Sequence, residues 1–176
     1  MLTVMMECQD QEPELAQTLA GLVSGAVEGL VSDVVVLDRG SKDGTLRVAE
    51  AAGCRFYKHW DMRDIVRSAR GEWLLLVEPG ARLQHGWIDE LSEYIAFNKA
   101  PAYFSPARAH RRPFYLRIAR RLLPPLETGF LLPKRQALVL AKSDMDLVGL
   151  TRGLKAKQLS SEMIPSWVAR NNRMPA

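Results

Sequence analysis

Residues 34–45 of this chain read VVVLDRGSKDGT, and this segment decides which fold the chain is expected to adopt. Its first four residues are apolar and mostly β-branched, which predicts a buried strand that ends at Asp38. A loop of glycine, serine and aspartate follows, and residues 46–52 then have a helical pattern. Open α/β folds bind ligands at the carboxyl ends of parallel strands, so the segment predicts a nucleotide-binding site beside Asp38. Backbone N–H groups near the start of the helix favour an anion there.

Strand and helix patterns alternate along residues 1–97. Strands are predicted at residues 2–6, 34–38, 54–58 and 73–77. Helices are predicted from Pro13 onwards and at residues 46–52, 62–69 and 87–97. Such alternation requires a mostly parallel sheet with right-handed crossovers and with helices on both faces. The predicted fold class is therefore α/β, with a Rossmann-like sheet.

Residues 101–176 have weaker patterns and a different charge. Short strands are predicted at residues 102–104 and 128–132, and helices at residues 113–123 and 144–154. Residues 1–100 contain 10 Lys and Arg against 16 Asp and Glu, whereas residues 101–176 contain 14 against 4. The basic second part indicates an anionic partner such as phosphate, a membrane surface or nucleic acid, with a merely solvated basic surface as the alternative.

Length and composition limit the class of protein. The 176 residues suit a single domain, with a nucleotide-binding part at residues 1–100 and a basic, abbreviated acceptor part at residues 101–176. The two cysteines form no disulfide framework, and the short apolar start runs into Glu7 rather than into a secretion signal. No apolar run of the sequence is long enough to span a bilayer. We therefore expect a cytoplasmic protein.

The loop after Asp38 resembles the D-D-G-S-x-D-G-T signature of family 2 glycosyltransferases, which are inverting enzymes of GT-A fold that use nucleotide sugars. The matching residues are Asp38, Gly40, Ser41, Asp43, Gly44 and Thr45, and Arg39 stands in place of the second Asp. Residues 10–12 (DQE) occupy the place of the family's P-x-x-N-E-E loop, and residues 69–73 (ARGEW) resemble its A-x-G-[DE]-aromatic segment. Together the matches cover residues 2–97, which is more specific than one glycine-rich loop.

The resemblance implies a function and a set of binding residues. The implied reaction transfers a sugar with inversion from a nucleotide sugar, here a UDP-sugar, to an unidentified acceptor hydroxyl, as in bacterial polysaccharide or lipopolysaccharide synthesis. Asp38 would accept a hydrogen bond from the uracil ring N–H. The other predicted nucleotide-binding residues lie in the loops that follow the first two predicted strands, namely Asp10, Glu12, Arg39, Gly40, Ser41 and Asp43.

The metal-binding motif of the family is altered in this chain. In the family, the fourth strand runs into D-x-D, whose carboxylates bind a divalent cation on the diphosphate, and this chain has Glu78, Pro79 and Gly80 there. Mn²⁺ and Mg²⁺ take oxygen ligands, and only Glu78 offers a carboxylate. Glu78 is therefore the predicted metal ligand, and dependence on Mn²⁺ or Mg²⁺ is left open. Arg39 is predicted either to approach the phosphates in compensation or to point into solvent.

The resemblance also implies a general base on the acceptor side. Residues 143–147 (SDMDL), with Arg152 further on, loosely resemble the family's E-D-x-D-L-x-x-R pattern, and residues 128–130 correspond to an acceptor-side glycine segment. Asp144 would then deprotonate the acceptor hydroxyl. The alternative interpretation makes Asp144 the N-cap of a helix, a position that aspartate favours.

Other functions stay open beside the transferase. A catalytically silent GT-A-like domain would bind a nucleotide or a partner without transfer, which agrees with Gly80. The basic amphipathic stretch at residues 108–121 predicts binding to an anionic membrane surface, at the inner face of the membrane, unless this stretch packs on the sheet. No recognition fold for nucleic acid is visible, so no nucleic acid is expected. A D-x-D-G-T-L phosphatase is disfavoured, because the strand ends at Asp38 and not at Asp43.

Overall fold

The computed structural model describes residues 1–111 and 126–173, which form eight strands and six helices. The strands are β1 (Leu2–Cys8), β2 (Val31–Asp38), β3 (Arg55–Tyr57), β4 (Trp73–Leu76), β5 (Arg82–Leu83), β6 (Ala102–Pro106), β7 (Phe130–Pro133) and β8 (Lys157–Ile164). The helices are α1 (Glu12–Val27), α2 (Thr45–Ala51), α3 (Met62–Ser68), α4 (Trp87–Phe97), α5 (Lys134–Leu140) and α6 (Ser166–Arg173). Short 3₁₀ turns lie at Arg108–His110 and Gly149–Thr151.

The eight strands form one sheet in the order β3-β2-β1-β4-β7-β6-β8-β5. The first four strands in this order run parallel, as their helical connections require. β7 pairs antiparallel with β4 and β6, β8 runs parallel to β6, and β5 runs antiparallel to β8. The predicted α/β class with a mostly parallel sheet is confirmed. The strands of residues 102–164 extend the same sheet beyond β4.

Helices bury both faces of the sheet, and successive residues of each central strand point to opposite faces. Val4 and Met6 of β1 belong to an apolar cluster with α1 and α4, whereas Met5 belongs to a second cluster with α3 and α5. In β4, Leu75 joins the first cluster while Leu74 and Leu76 join the second. The continuous apolar runs in the sequence therefore mark strands that are covered by helices on both sides.

The predicted elements of residues 1–97 are confirmed, with ends that differ by one to three residues. Sequence patterns do not predict β5, α5, β8 or α6. The helix predicted at residues 113–123 lies outside the described residues. The sequence also predicts a frayed end at residues 171–176. Residues 171–173 are instead the last residues of α6, and residues 174–176 lie outside the described residues.

The helix predicted at residues 144–154 is wrong, because only the 3₁₀ turn Gly149–Thr151 forms there. Two carboxylates compete for the backbone of this segment. Glu7 Oε1 accepts from the N–H of Leu147 at 2.6 Å, and Asp146 Oδ1 accepts from that of Gly149 at 2.7 Å. Gly153, with a φ of +76°, then turns the chain out of any helical path.

The basic stretch predicted to bind a membrane surface is described only up to Arg111. In that part, the guanidinium groups of Arg108 and Arg111 pair with the carboxylate of Glu162, at 3.4 and 3.2 Å. Among the helices of the described ranges, none combines the length and the apolar character that crossing a bilayer requires. Residues 112–121 lie outside those ranges, so membrane binding stays a prediction.

Gly71, in the loop between α3 and β4, packs tightly against β1, and we expect its substitution to destabilise the fold. The N–H of Gly71 donates to Thr3 Oγ1 at 2.8 Å, and an added Cβ would overlap backbone atoms of Leu2 and Thr3. Gly71→Ala should therefore lower the free energy of unfolding by about 3 kcal/mol, measured by urea denaturation. Gly53→Ala is the matched control, because no atom lies near its added Cβ, and only its φ of +71° costs about 1 kcal/mol. Equal losses for both variants would contradict this tight packing.

Candidate functional site

The parallel register of β1 and β2 brings the loops that follow these strands to the same edge of the sheet. Cys8 lies opposite Asp38, and the N–H of Arg39 donates to the carbonyl oxygen of Cys8 at 2.8 Å. β4 ends on the other side of β1, where the N–H of Val77 donates to the carbonyl oxygen of Met5 at 3.1 Å. We call this region, where the three strands end together, the β1–β2–β4 edge.

Asp38 lies at this edge, where the sequence places it, and shapes the loop that follows. The residue is 2% exposed, and its carboxylate accepts from the N–H of Gly40 at 3.2 Å and from that of Ser41 at 3.1 Å. Gly40 has a φ of +89°, a conformation that a side chain would strain. Asp38 therefore fixes a tight turn directly after the buried strand.

Asp10 joins the loop after β1 to the loop after β2. Its N–H donates to Ser41 Oγ at 2.9 Å, and its Oδ1 accepts from the N–H of Lys42 at 2.6 Å. Asp10 has a φ of 52°, the only positive φ of a non-glycine residue in the described ranges. Aspartate tolerates this left-handed conformation better than most residues. The strained backbone at Asp10 is therefore held by two bonds to the neighbouring loop.

Glu12 and Asp43 form a reciprocal pair of caps between the same loops. The N–H of Glu12 donates to Asp43 Oδ2 at 3.0 Å, and Glu12 Oε2 accepts from the N–H of Gly44 at 2.9 Å. Asp43 Oδ1 also accepts from the N–H of Thr45 at 3.0 Å and from its hydroxyl at 2.5 Å. An added Cβ at Gly44 would overlap the Glu12 carboxylate, so a side chain at this position would displace the carboxylate from its bond to the Gly44 N–H.

These bonds correct the expectation that the N–H groups of the loop receive an anion. Those of Gly40 and Ser41 donate to Asp38, and that of Lys42 donates to Asp10. Those of Gly44 and Thr45 donate to Glu12 and Asp43. These five N–H groups are thus paired with carboxylates of the protein and do not form an open anion site.

A cavity of about 250 Å³ opens at the β1–β2–β4 edge beside these loops. The ends of all three strands contribute to its wall. Its lining is mostly polar and contains two guanidinium and two carboxylate groups: Glu7, Cys8, Gln9, Gln11, Arg39, Glu78, Pro79 and Arg170. Among the predicted site residues, Arg39 and Glu78 therefore reach the cavity wall, whereas the carboxylates of Asp10, Glu12, Asp38 and Asp43 brace the loops next to it.

Arg39 is held on one side of the cavity and does not extend freely into solvent. Its Nε and Nη2 donate to Glu7 Oε2 at 2.8 and 2.5 Å. The guanidinium carbon also lies 5.9 Å from the centroid of the Trp60 ring, within the range of a cation–π contact. Arg39 is therefore exposed to solvent, as one interpretation of the sequence expects, but its guanidinium group is held by Glu7 and Trp60.

Glu78, the predicted metal ligand, is held by the last helix of the described chain. Its Oε2 accepts from Ser166 Oγ at 2.5 Å and from Arg170 Nη2 at 3.0 Å. The side chain of Glu78 is 22% exposed, so the ion pair with Arg170 is partly shielded from water. Helix α6 therefore brings a positive charge to the carboxylate that the sequence assigns to a cation.

The donor set around Glu78 does not fit a divalent cation. Gly80 has no side-chain oxygen and a φ of +96°, and an added Cβ would lie 2.8 Å from Ala169 Cβ of α6. Its N–H is engaged with the carbonyl oxygen of Glu14 at 3.0 Å and Thr18 Oγ1 at 2.8 Å. Within residues 1–111 and 126–173, no three acidic, His or Cys side chains cluster as a metal site. Mn²⁺ and Mg²⁺ prefer several oxygen ligands, which this corner of the cavity does not supply.

Cys8 lines the cavity but is no nucleophile. The residue is 1% exposed, and burial, with the nearby Asp38 charge, raises the pKa of its thiol to about 12. Burial also raises the pKa of Cys54 to about 11. Both thiols are therefore protonated at neutral pH, and a protonated thiol is a weak nucleophile.

Asp144 is not among the residues that line the cavity. It is exposed in a turn of the segment that joins α5 to the 3₁₀ turn Gly149–Thr151. Asp146, two residues later, bonds the N–H at the start of that turn, so the capping role expected of Asp144 belongs to Asp146. The role of Asp144 as a general base stays a prediction.

Sequence reasoning missed three residues that organise the cavity, namely Glu7, Ser166 and Arg170. Glu7 has a weak signal, since it is a charged residue at the end of an apolar strand, but the strand was predicted to stop at Met6. Ser166 and Arg170 belong to no recognised motif. Only the packing of α6 on the β1–β2–β4 edge places them beside Glu78.

Solved structures share this fold, although no protein-family profile and no curated protein sequence matches the chain. Glucosyl-3-phosphoglycerate synthase from Mycobacterium tuberculosis, solved with Mn²⁺ and UDP-glucose, matches with a TM-score of 0.59 at 16% identity, over 93% of this chain and 70% of that chain. A mycobacterial protein matches with a TM-score of 0.59 at 20% identity, over 90% of this chain and 64% of that chain. The chain has a GT-A fold.

The synthase has also been solved with Mn²⁺, UDP and phosphoglyceric acid, and that structure matches with a TM-score of 0.55 at 16% identity. This match covers 77% of the present chain and 56% of the synthase chain. The match therefore spans little more than half of that synthase chain. At sequence identities this low, the structural matches establish the fold alone, and the function has to be argued from the site.

We expect the hydrogen bonds between the loops after β1 and β2 to stabilise the β1–β2–β4 edge. Asp43→Ala removes the acceptor for three hydrogen bonds from Glu12 and Thr45, which should lower the free energy of unfolding by about 1–3 kcal/mol. The measurement is urea denaturation followed by circular dichroism. Asp64→Ala is the control, because its carboxylate is 71% exposed and pairs only with Arg67 on the same helix. A loss of unfolding free energy no larger than that of the control would contradict this stabilising role of Asp43.

We expect neither cysteine to react with iodoacetamide in the folded protein at about pH 7.5, because the raised pKa values leave both thiols protonated. Mass spectrometry should show two modified cysteines only after denaturation in guanidinium chloride. Modification of native Cys8 near neutral pH would show that this thiol is more acidic and more accessible than its buried position allows.

Proposed function

We propose that this chain binds the nucleoside diphosphate part of a UDP-sugar at the β1–β2–β4 edge and takes part in transfer of the sugar to an acceptor hydroxyl. One observation carries this proposal. A charged cavity opens at the carboxyl end of parallel strands in a GT-A fold, where open α/β sheets bind their ligands. The resemblance of residues 38–45 to the family 2 signature, and UDP-glucose in a matched structure, support the nucleotide class.

The residues of the two loops would divide the work of nucleotide binding. Asp38 would accept a hydrogen bond from the uracil ring N–H, because each carboxylate oxygen has a second lone pair beyond the one used by its own loop. Asp10, Glu12, Ser41 and Asp43 would act as positioning residues that hold the loops together. Gly40 would allow the tight turn beside the base.

Asp144 is proposed as the general base on the acceptor side, in keeping with the resemblance. Its exposed position outside the cavity agrees with an acceptor that approaches from solvent. Asp144→Asn should then leave UDP affinity unchanged and reduce transfer, which release of UDP from a UDP-sugar in the presence of acceptor would measure.

A second candidate function is binding of the nucleotide without transfer. The observation that favours it is the engagement of Glu78 by Arg170 together with the closed space beside Gly80. Release of UDP from UDP-sugars, tested with phosphorylated and sugar acceptors, separates the two functions. Turnover supports the transferase, whereas tight UDP binding without turnover supports the silent domain.

We expect isothermal titration calorimetry to show UDP binding with a dissociation constant of about 10–100 μM and weaker binding of GDP, since guanine does not offer the same ring N–H pattern to Asp38. Asp38→Asn should weaken UDP binding about ten-fold, because its amide nitrogen is a donor that cannot accept from uracil. Asp89→Asn, an exposed change on α4, should leave UDP binding unaltered. Equal affinity for UDP and GDP would contradict uracil recognition, and no binding of either nucleotide would reject the function.

A further inference from the structure

We propose that Arg39 and Arg170 hold the diphosphate of the nucleotide between them, in place of a divalent cation. This inference rests on the proposed function and deepens it by assigning the phosphate-binding groups. The two guanidinium groups reach the same cavity from different parts of the fold, Arg39 from the loop after β2 and Arg170 from α6. We call this pair the arginine clamp.

Each guanidinium group of the clamp is oriented by one carboxylate and keeps donors for a ligand. Arg39 uses Nε and Nη2 on Glu7, and its Nη1 has no hydrogen bond within residues 1–111 and 126–173. Arg170 uses Nη2 on Glu78 and Ser166, and in the same ranges its Nε and Nη1 have none. Arginine carries five N–H donors, so one carboxylate partner leaves several donors for phosphate oxygens.

The exposure of the clamp suits an anion that arrives from solvent. The side chains of Arg39 and Arg170 are each 47% exposed, whereas those of Glu7 and Glu78 are 18% and 22% exposed. The carboxylates thus lie deeper and hold the guanidinium groups at the mouth. Because the orientation is set before a ligand binds, less side-chain entropy is lost on binding.

The size of the cavity matches the charged part of the ligand. Sites that enclose a whole small molecule measure about 300–1,000 Å³. The present cavity of about 250 Å³ is smaller, which suits a diphosphate whose nucleoside lies over the adjacent loops. Most N–H groups of those loops are already paired with carboxylates, and the cationic groups of the cavity wall that can meet the phosphates are the two guanidinium groups.

Contacts of helix α6 explain why the two arginines would act instead of a divalent cation and not together with one. Ala169 covers Gly80, and Ser166 and Arg170 bond the only carboxylate of the altered motif. A cation at Glu78 would have to displace Arg170, and Glu7, the other carboxylate of the cavity wall, is already engaged by Arg39 and by the N–H of Leu147. The matched synthase was solved with Mn²⁺ and UDP, so the two proteins would neutralise the same ligand by different means.

The first experiment titrates the full chain with UDP and with inorganic pyrophosphate, in EDTA and in Mn²⁺. We expect equal affinity for UDP in both media, and affinity that falls with rising salt as expected for an ionic contact. Binding of UDP only with Mn²⁺ would overturn the clamp and leave the proposed function intact. Pyrophosphate binding without UDP binding would support the clamp and reject the nucleotide assignment, and no binding of either would reject both.

Four variants test the clamp itself. Arg39→Ala and Arg170→Ala should each weaken UDP and pyrophosphate binding at least ten-fold, while Arg67→Ala on the exposed face of α3 should change neither. Glu78→Gln gives opposite signs for the two mechanisms. A metal site would lose affinity, whereas the clamp would keep or gain affinity, because the Gln oxygen can still accept from Arg170 while the negative charge that competes with phosphate is removed.

Thermal denaturation of each variant separates loss of binding from loss of folding. If Arg170→Ala lowers stability, Arg170→Lys keeps the charge and the stem but not the planar fork, and should still weaken diphosphate binding. Unchanged UDP affinity in folded Arg39→Ala and Arg170→Ala variants would overturn the clamp.

Discussion

The parallel pairing of β1 with β2 is the constraint on which the site depends. Because Cys8 lies opposite Asp38, the two following loops leave the sheet side by side. Their carboxylates then find the N–H groups of the opposite loop within hydrogen-bond distance, as Asp10 does with Lys42 and Glu12 with Gly44. A shift of one residue would turn each side chain to the other face and break both contacts. The buried strand register thus sets the geometry of an exposed loop pair.

The loop that resembles a nucleotide signature is a structural device as well as a candidate binding surface. Carboxylates accept hydrogen bonds from the N–H groups of this loop, so the loop conformation is formed before any ligand binds. Preformed loops bind with little ordering cost. In the proposed site, the phosphates would therefore be neutralised by side chains on the cavity wall, Arg39 and Arg170, and not by the loop backbone.

The last helix of the described chain links the two halves of the sequence at this cavity. Ser166 and Arg170 bond Glu78, and Ala169 lies against Gly80. The segment at residues 78–80 and α6 therefore fit each other, since a larger residue at position 80 would overlap the helix. Gly80, which brings no carboxylate, and Arg170, which the helix supplies, are two parts of one arrangement, and the charge of Glu78 is paired with that of Arg170.

Local sequence determined the alternation of strands and helices up to residue 97, the position of Asp38 at a strand end and the absence of a second carboxylate after Glu78. These features depend on hydrophobic periodicity and on residue identity, which act over a few neighbours. The tertiary structure alone decided the partners of the charged groups. Glu78 meets Arg170 across 92 positions of sequence, and Glu7 meets the N–H of Leu147 across 140. The same distant contact at Leu147 replaced the helix predicted at residues 144–154. No local pattern carries such contacts, because they arise only when the sheet has brought its edges and the last helix together.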